Sequence, residues 1–267
     1  MNVLNIIRLH LFFYLLVCIA SHAKAEDVIR RDIPANNNSN CKVVTYYRVS
    51  YNMENEKGIR NTWDGKCSGG YIQGYGQHIQ IRPNGETRTT SANYINGMEQ
   101  GPGISIVDYI DSRKIVLSGI YKDGLLVYGT RTYTDPSKDI KTVYEGPFLN
   151  GQMSGKGTLY AKIGSNVSKY TGDFLNNKKN GWGSIYIYDN GVRWAGPFAN
   201  DLKNGTGRYV SDDGRAGVMQ FANGEKIDEQ PDSPADLSVE QIQQLLPQQQ
   251  KMVPFSCTTV GSFTSCN

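Results

Sequence analysis

Aromatic residues, glycines and polar residues alternate along the middle of the chain with a period of two. In the segment that starts at Tyr144, the side chains of Tyr144, Gly146 and Phe148 fall on one face of an extended strand, and the intervening residues fall on the other. Residues 183–188 have the β-branched and aromatic content of a strand. The pattern predicts short strands joined by tight turns.

Turn sequences fall between these runs, where hairpins require them. Asparagine, aspartate and glycine tolerate the positive φ angles of short hairpin turns. Such turns are predicted at Asn150-Gly151, Asp189-Asn190-Gly191, Asp213-Gly214 and Asn223-Gly224. The mean hydropathy of −0.47 and the 29 glycines fit a sheet that buries little surface per residue.

The hairpin pattern recurs seven times on the same glycine positions. In the clearest copy, glycines stand two, seven, eleven and thirteen residues after Tyr144. The copies start at residues 63, 90, 117, 144, 170, 194 and 217, a spacing typical of a stacked array of repeats. The copies at 90, 117 and 217 are degenerate. We expect the glycines to leave room for the aromatic rings of the neighbouring hairpin.

Residues 144–157, 170–183 and 194–207 resemble the MORN repeat, in which an aromatic residue and a glycine are followed by a further aromatic residue and G-x-G. With the weaker copies, the resemblance spans about 63–224. It implies an all-β fold, an elongated single-layer antiparallel meander of consecutive hairpins that binds or organises other molecules. It implies a scaffold with a protein partner or a second copy of itself, and a membrane-lipid or cell-wall glycan module is the alternative.

The start of the chain has the pattern of an export signal. Arg8 precedes an apolar run at residues 9–20, and an A-x-A site ending at Ala25 precedes Glu26. A membrane anchor is the alternative, but a bilayer span needs roughly 20 apolar residues. We therefore expect cleavage between Ala25 and Glu26 and a periplasmic or secreted protein.

Cleavage would leave four cysteines, which are Cys41, Cys67, Cys257 and Cys266. An even number in an exported chain points to two disulfides, for which three pairings are open. We favour Cys41–Cys67, which would join the N-terminal strand to the first repeat, and Cys257–Cys266, which would close a small hairpin. The absence of a C-x-x-C pair argues against a zinc site.

The remaining segments are assigned by composition. We expect a signal peptide at 1–25, a disordered segment at 26–40, a capping strand at 41–62, the repeats at 63–227, a linker at 228–236, an amphipathic helix at 237–247, and a tether with the disulfide hairpin at 248–267. The helix is predicted to cover the C-terminal end of the sheet, and docking of a partner is its alternative role.

Few residues are candidates for catalysis or metal binding. His78 is the one histidine of the cleaved chain, and it occupies a repeat slot that Leu159 holds in another copy. The carboxylates Asp64, Glu145 and Asp173 are scattered along the array, so a hydrolase with paired carboxylates is a remote alternative. The sequence predicts no enzyme, no metal and no cofactor.

The charge pattern does not indicate nucleic-acid binding. The formal net charge is +3, and loss of Arg8 and Lys24 from 28 basic residues leaves 26 against 25 acidic residues. Adjacent basic residues such as Lys178-Lys179 and Arg30-Arg31 are too few for a basic face.

The recurring aromatic residues are the candidate binding surface. Most of them are expected to pack, and any that line an open face offer stacking surfaces to a partner. The predicted binding face consists of Trp63, Tyr144, Tyr170, Trp182, Trp194, Tyr186 and Tyr188.

Overall fold

The structure is a computed structural model that describes residues 28–35, 38–48, 58–232, 257–260 and 263–266. The predicted export signal, with Ala25 and Glu26, and the predicted helix at 237–247 lie outside the described residues. The chain divides into two compact units. The first contains residues 1–157 and 174–178, and the second contains residues 158–173 and 179–267.

Strands account for nearly all of the described secondary structure. In chain order they are β1 (Val28–Ala35), β2 (Asn38–Arg48), β3 (Arg60–Trp63), β4 (Lys66–Ser68), β5 (Tyr71–Ile81), β6 (Thr87–Ile95), β7 (Met98–Asp108), β8 (Lys114–Lys122), β9 (Leu125–Asp135), β10 (Ile140–Leu149), β11 (Gln152–Met153), β12 (Gly155–Ile163), β13 (Asn166–Leu175), β14 (Lys178–Ile187), β15 (Val192–Ala199), β16 (Leu202–Lys203), β17 (Gly205–Ser211), β18 (Ala216–Ala222), β19 (Glu225–Pro231), β20 (Cys257–Val260) and β21 (Phe263–Cys266). A short 3-10 turn, Pro136–Lys138, separates β9 from β10.

Strands that follow one another in the chain pair antiparallel. In the first unit β5 to β10 pair in sequence, and in the second unit β14 pairs with β15, β15 with β17, β17 with β18, and β18 with β19. Each unit is therefore an open sheet of consecutive hairpins, and the predicted all-β hairpin fold is confirmed. Among the described residues, no helix has the length and apolar character needed to cross a bilayer.

The hairpin turns form at the predicted sequences. Asn150 and Gly151 have φ angles of 49° and 71°, and Asn223 and Gly224 have angles of 48° and 88°. Two successive left-handed residues give a turn whose twist matches the flanking strands. These φ angles explain why asparagine and glycine recur at these positions.

Backbone hydrogen bonds connect each of several turns to the preceding repeat. In each case the donor is the backbone amide of the residue seven positions after the start of one repeat. The acceptor is the backbone carbonyl of the residue nine positions after the start of the repeat before it. This bond joins Gly97 to Ile72 (3.1 Å), Gly124 to Glu99 (3.0 Å), Asp201 to Lys179 (2.9 Å) and Gly224 to Lys203 (2.8 Å). The degenerate copies at 90, 117 and 217 therefore share the frame of the clear ones.

An N-terminal hairpin of β1 and β2 covers the turn side of the first repeats. The amides of Lys42 and Val44 donate to the carbonyls of Gly70 (2.9 Å) and Gly97 (2.8 Å), both in repeat turns. The disulfide Cys41–Cys67 joins this hairpin to the first repeat, with its Cα atoms 5.8 Å apart. The predicted Cys41–Cys67 pairing is confirmed.

The prediction of disorder at 26–40 is wrong for the strand β1 and for the start of β2. Residues 28–35 pair antiparallel with β2. Ala35 is buried in a cluster with Cys41 and Trp63, and Ile33 packs against it. These apolar contacts, which the asparagine-rich composition conceals, stabilise the hairpin.

Two predictions concern the C-terminal part of the chain. The predicted linker at 228–236 is wrong for residues 228–231, because they belong to β19 and pair with β18, whose edge would otherwise be unpaired. In the small hairpin of β20 and β21, the backbone places Cys257 directly opposite Cys266. The second disulfide stays a prediction that this register supports.

Candidate binding surfaces and cavity

Aromatic rings at the first position of the clear repeats lie across glycines of their own hairpin. We call the repeat start position 0 and count later positions from it. A Cβ atom on Gly172, at position +2, would lie 2.5 Å from the hydroxyl oxygen of Tyr170. A Cβ atom on Gly157, at position +13, would lie 2.5 Å from Cε2 of Tyr144. The expectation that the glycines accommodate rings of the neighbouring hairpin is therefore wrong, since the ring belongs to the same hairpin.

Each of these rings also contacts position +4 of the next repeat. The pairs are edge-to-face, with ring centroids 4.9 Å apart for Trp63 and Tyr94, 4.9 Å for Tyr144 and Phe174, 4.9 Å for Tyr170 and Phe198, and 5.3 Å for Trp194 and Phe221. Edge-to-face pairs of this kind stabilise by about 0.5–1.5 kcal/mol beyond the area that they bury. We call this series of stacked rings the aromatic ladder.

Four residues of the predicted binding face are part of the aromatic ladder and are not available to a partner. The side chains of Trp63, Tyr144, Tyr170 and Trp194 are buried. The polar end of Trp63 donates to the Lys66 carbonyl at 2.9 Å, and the Tyr144 and Tyr170 hydroxyls donate to carbonyls three residues further on. These side chains stabilise the repeat and offer no surface to a partner.

The other three residues of the predicted face remain accessible. Tyr186 and Tyr188 are partly exposed, with ring centroids 4.5 Å apart. The Tyr186 hydroxyl donates to Asp212 at 2.7 Å. Trp182 is 60% exposed.

Lysines cover the ladder in the last repeats. Position +9 holds Lys179 and Lys203, and the Nζ atom of Lys203 lies 5.1 Å from the Trp194 centroid and 4.6 Å from that of Phe221. Burial, with repulsion from Lys179, lowers the pKa of Lys203 to about 8. At these two lysines, position +9 is half-buried, and a charge there carries a desolvation cost.

Large apolar side chains project from the opposite face, at position +12 between the last two glycines. Trp182 occupies this position, and Tyr75 is similarly exposed. In the repeat at 117, Tyr128 at position +11 precedes the final glycine, Gly129, and is 53% exposed. We call this surface the outward face.

The glycine-bearing face of the first unit contains a cavity instead of a continuous ladder. The repeats at 90 and 117 have Thr90 and Leu117 at position 0, so no ring from position 0 lies across their glycines. A cavity of about 220 Å³ lies there, between β2 and the strands from β5 to β10. The register partners in this row run from Trp63 through His78, Thr90, Ser105, Leu117 and Arg131 to Tyr144. The cavity therefore lies in the part of this row between the rings of Trp63 and Tyr144.

Charged and polar side chains line this cavity. Arg88 donates from Nε to the Ser105 hydroxyl at 2.9 Å. Glu99, at position +9, is buried, and that burial raises the pKa of its carboxyl group. The Tyr121 hydroxyl is buried and has no hydrogen-bond partner within the described residues.

His78 is a buried repeat side chain that also lines the cavity. Its Nε2 atom lies 3.1 Å from Oδ1 of Asn61. Burial, and then repulsion from Arg88, lowers the pKa of His78 to about 4. The imidazole is therefore neutral at pH 7.

Two of the three carboxylates considered for hydrolysis accept hydrogen bonds from backbone amides of the sheet. Asp64 accepts a hydrogen bond from the Gln77 amide at 2.6 Å, and Asp173 accepts one from the Trp182 amide at 3.1 Å. Glu145 is exposed on β10. Within the described parts of the chain, no group of three or more histidine, cysteine, aspartate or glutamate side chains is arranged to hold a metal ion.

Comparison with known families agrees with the ladder. The MORN repeat model matches three successive segments, residues 144–165, 170–193 and 195–214. They contain the ladder rings Tyr144 and Tyr170 and the partners of these rings, Phe174 and Phe198. Residues 144–214 therefore contain three MORN repeats. MORN repeats are generally modules that bind proteins or membrane lipids and are not catalytic. A search of curated proteins finds no significant match.

The cavity-lining copies at 90 and 117 lie outside the matched MORN residues. Arg88 and Glu99 were not among the residues predicted from the sequence to form a site, although the repeat frame contains a signal for Glu99. Position +9 holds apolar residues in three other copies, Ile72, Leu126 and Met153, so an acidic residue there is unusual. Tyr75 and Tyr128 were likewise not predicted, although strand alternation places them on the face opposite the glycines.

Proposed function

We propose that the protein is an exported, non-enzymatic MORN repeat protein that presents its outward face to a protein partner or to a second copy of itself. The observation that carries the proposal is a row of apolar side chains across neighbouring strands of the first unit. Pro102 on β7, Ile120 on β8, Tyr128 on β9 and Pro147 on β10 are successive register partners.

This row is accessible and continuous. Pro102 is exposed, Ile120 is 45% exposed and Pro147 is partly exposed. Ile106 and Val116, which are partly exposed register partners, lie further along the same face. A contiguous apolar patch on a rigid sheet is typical of a protein interaction site.

The second unit repeats the feature at the same MORN positions. Trp182 on β14 pairs with Pro197 on β15. An exposed tryptophan beside a proline supplies the rigid aromatic surface that is enriched at interaction sites. The shared positions support a role for the outward face in both units.

Export is proposed from the N-terminal sequence and is supported by the disulfide. Disulfides persist in oxidising compartments and are rare in reducing ones. The Cys41–Cys67 bond therefore fits an exported protein. Mass spectrometry of the intact protein from its native cells is expected to show a chain that begins at Glu26, and a chain that retains residues 1–25 would contradict cleavage.

The proposed interface is tested by in-cell cross-linking, affinity purification and mass spectrometry of wild type and an Ile120→Ser, Tyr128→Ser double variant. We expect wild type to yield a reproducible partner or self-linked species and the double variant to lose it. Ile110→Ser is the matched control, because Ile110 is exposed in a turn outside the row. An unchanged set of products from the double variant would contradict the proposal, and recovery of lipid or glycan without protein would favour the alternative module.

A further inference from the structure

The cavity of the first unit contains polar groups that the described protein leaves unsatisfied. Tyr121 is 2% exposed, and its buried hydroxyl has no hydrogen-bond partner among the described residues. The buried hydroxyl of Thr45 on β2 is also without a partner in that part of the chain. Both residues line the cavity. An unpaired buried hydroxyl destabilises the folded protein, and a bound group that hydrogen-bonds to it would offset that cost.

Arg88 supplies a positive charge with free hydrogen-bond donors. Its Nε atom donates to Ser105, and this bond fixes the orientation of the guanidinium. Within the described residues, Arg88 has no carboxylate within ion-pair distance, and its two Nη groups make no hydrogen bond. A guanidinium fixed in this way matches the two oxygens of a carboxylate.

Glu99 supplies the complementary acceptor. Its Oε1 atom accepts a long hydrogen bond of 3.5 Å from the Tyr94 hydroxyl. It lies in the same cavity as Arg88 without forming an ion pair with it. A molecule between the two side chains would satisfy both if it carries a carboxylate and a hydrogen-bond donor.

Size limits the ligand further. The cavity of about 220 Å³ is smaller than the roughly 300–1,000 Å³ of sites for drug-sized molecules. Leu117 and Phe148 provide an apolar wall. The space therefore suits a small organic molecule.

We propose that this cavity binds a small organic acid that carries an amino or hydroxyl group. Its carboxylate pairs with Arg88, its amino or hydroxyl group donates to Glu99, and the Tyr121 hydroxyl hydrogen-bonds to it. The site exists because MORN copies 90 and 117 lack the ring at position 0. It is independent of the outward face, so failure of either proposal leaves the other intact.

Isothermal titration of the purified protein tests the proposal with three series of probes. These are L-amino acids, α-hydroxy acids and sugar acids, each compared with its amide, which lacks the carboxylate. We expect saturable binding of at least one acid and a loss of affinity of about tenfold or more for its amide. If the protein binds amino acids more tightly than the other two series, the group that donates to Glu99 is an ammonium. If it binds α-hydroxy acids or sugar acids more tightly, that group is a hydroxyl. If no acid in the three series binds, the proposal is overturned.

Variants locate the site. Arg88→Gln and Glu99→Gln are each expected to weaken binding about tenfold, and Tyr121→Phe, which removes only the hydroxyl, by a smaller factor. Leu117→Tyr is expected to abolish binding by filling the cavity, with its circular dichroism spectrum and unfolding transition showing that the fold is retained. Arg113→Gln is the control, because Arg113 pairs with Asp111 away from the cavity. Binding that is unchanged in both Arg88→Gln and a folded Leu117→Tyr would overturn the proposal.

Discussion

Residues 63–143 and residues 144–224 follow one repeat frame but fill the glycine-bearing face differently. From Tyr144 onwards, three successive rings at position 0 stack on the next repeat. In the earlier region, Thr90 and Leu117 interrupt the series and leave a polar cavity. The hairpins form in both regions, because turns and backbone hydrogen bonds define the frame. The ring is therefore a stabilising addition, and its absence makes room for a ligand.

The largest effect is expected from removing a ring of the ladder. Trp194→Ala should lower the free energy of unfolding by about 4 kcal/mol, since it leaves a large void between Phe198 and Phe221. Urea unfolding followed by circular dichroism measures the loss. Trp182→Ala is the matched control, and its exposed side chain should cost less than about 0.5 kcal/mol. Equal losses in the two variants would contradict the ladder.

Acid should weaken the cavity region through His78. The folded pKa of His78 is lowered to about 4, so between the unfolded pKa of roughly 6.5 and pH 4 the unfolded chain takes up the proton first. Stability should fall by up to roughly 3 kcal/mol as the pH decreases through this window. Urea unfolding at a series of pH values measures the slope.

His78→Leu is the control for this prediction, because Leu159 occupies the same repeat slot. The variant should remove that part of the slope between pH 6.5 and 4. An identical slope in wild type and variant would show that His78 is not its source.

A methyl group placed under a ring should distinguish the two regions. Gly183→Ala would place Cβ 2.5 Å from Cζ of Tyr170 and should cost about 2 kcal/mol, because the ring has to shift. The copy at 90 already has alanine at position +2, Ala92, and Thr90 in place of a ring. Ala92→Gly should therefore cost less than about 1 kcal/mol. Thermal unfolding of both variants tests this, and a larger loss for Ala92→Gly would contradict it.

The smallest effect concerns Glu99. Burial raises its folded pKa, so its carboxyl group favours folding at low pH and that contribution is lost as the pH rises through the folded pKa. Glu99→Met, with the residue that Met153 supplies at position +9, should gain on the order of 1 kcal/mol at pH 8, and the gain should disappear below about pH 4. Urea unfolding at both pH values measures it. Exposed Glu145→Met should show no such difference, and an equal pH-dependent gain there would contradict the interpretation.

The turns and strands could be predicted from the sequence, because each depends on the residues of a short segment. The turns at Asn150-Gly151 and Asn223-Gly224 follow from φ preferences, and the strands follow from alternation. Alternation also assigned Tyr144 and Phe148 to one face, but it does not show whether that face is covered. Burial of the ladder depends on contacts between repeats, which is why buried rings were assigned to a binding face.

The cavity could not be predicted from the sequence, because it too depends on contacts between repeats. Thr90 and Leu117 were recognised as weak repeat starts, but their significance depends on the rings that flank them in space. β1 was missed because asparagine-rich composition outweighed the pairing that Ile33 and Ala35 support.

A reciprocal exchange at position 0 tests the central claim most directly. Gly119 and Gly129 are register partners two residues from the Leu117–Arg131 pair, and the three atoms nearest to the Cβ position of each glycine are backbone atoms, not ring atoms. Tyr144→Leu should therefore lower the unfolding free energy by about 2 kcal/mol, whereas Leu117→Tyr should change it by less than about 0.5 kcal/mol or raise it. Urea unfolding of the two variants beside wild type gives both values. Equal losses in the two variants, or a larger loss for Leu117→Tyr, would contradict the account of a ladder with an open position.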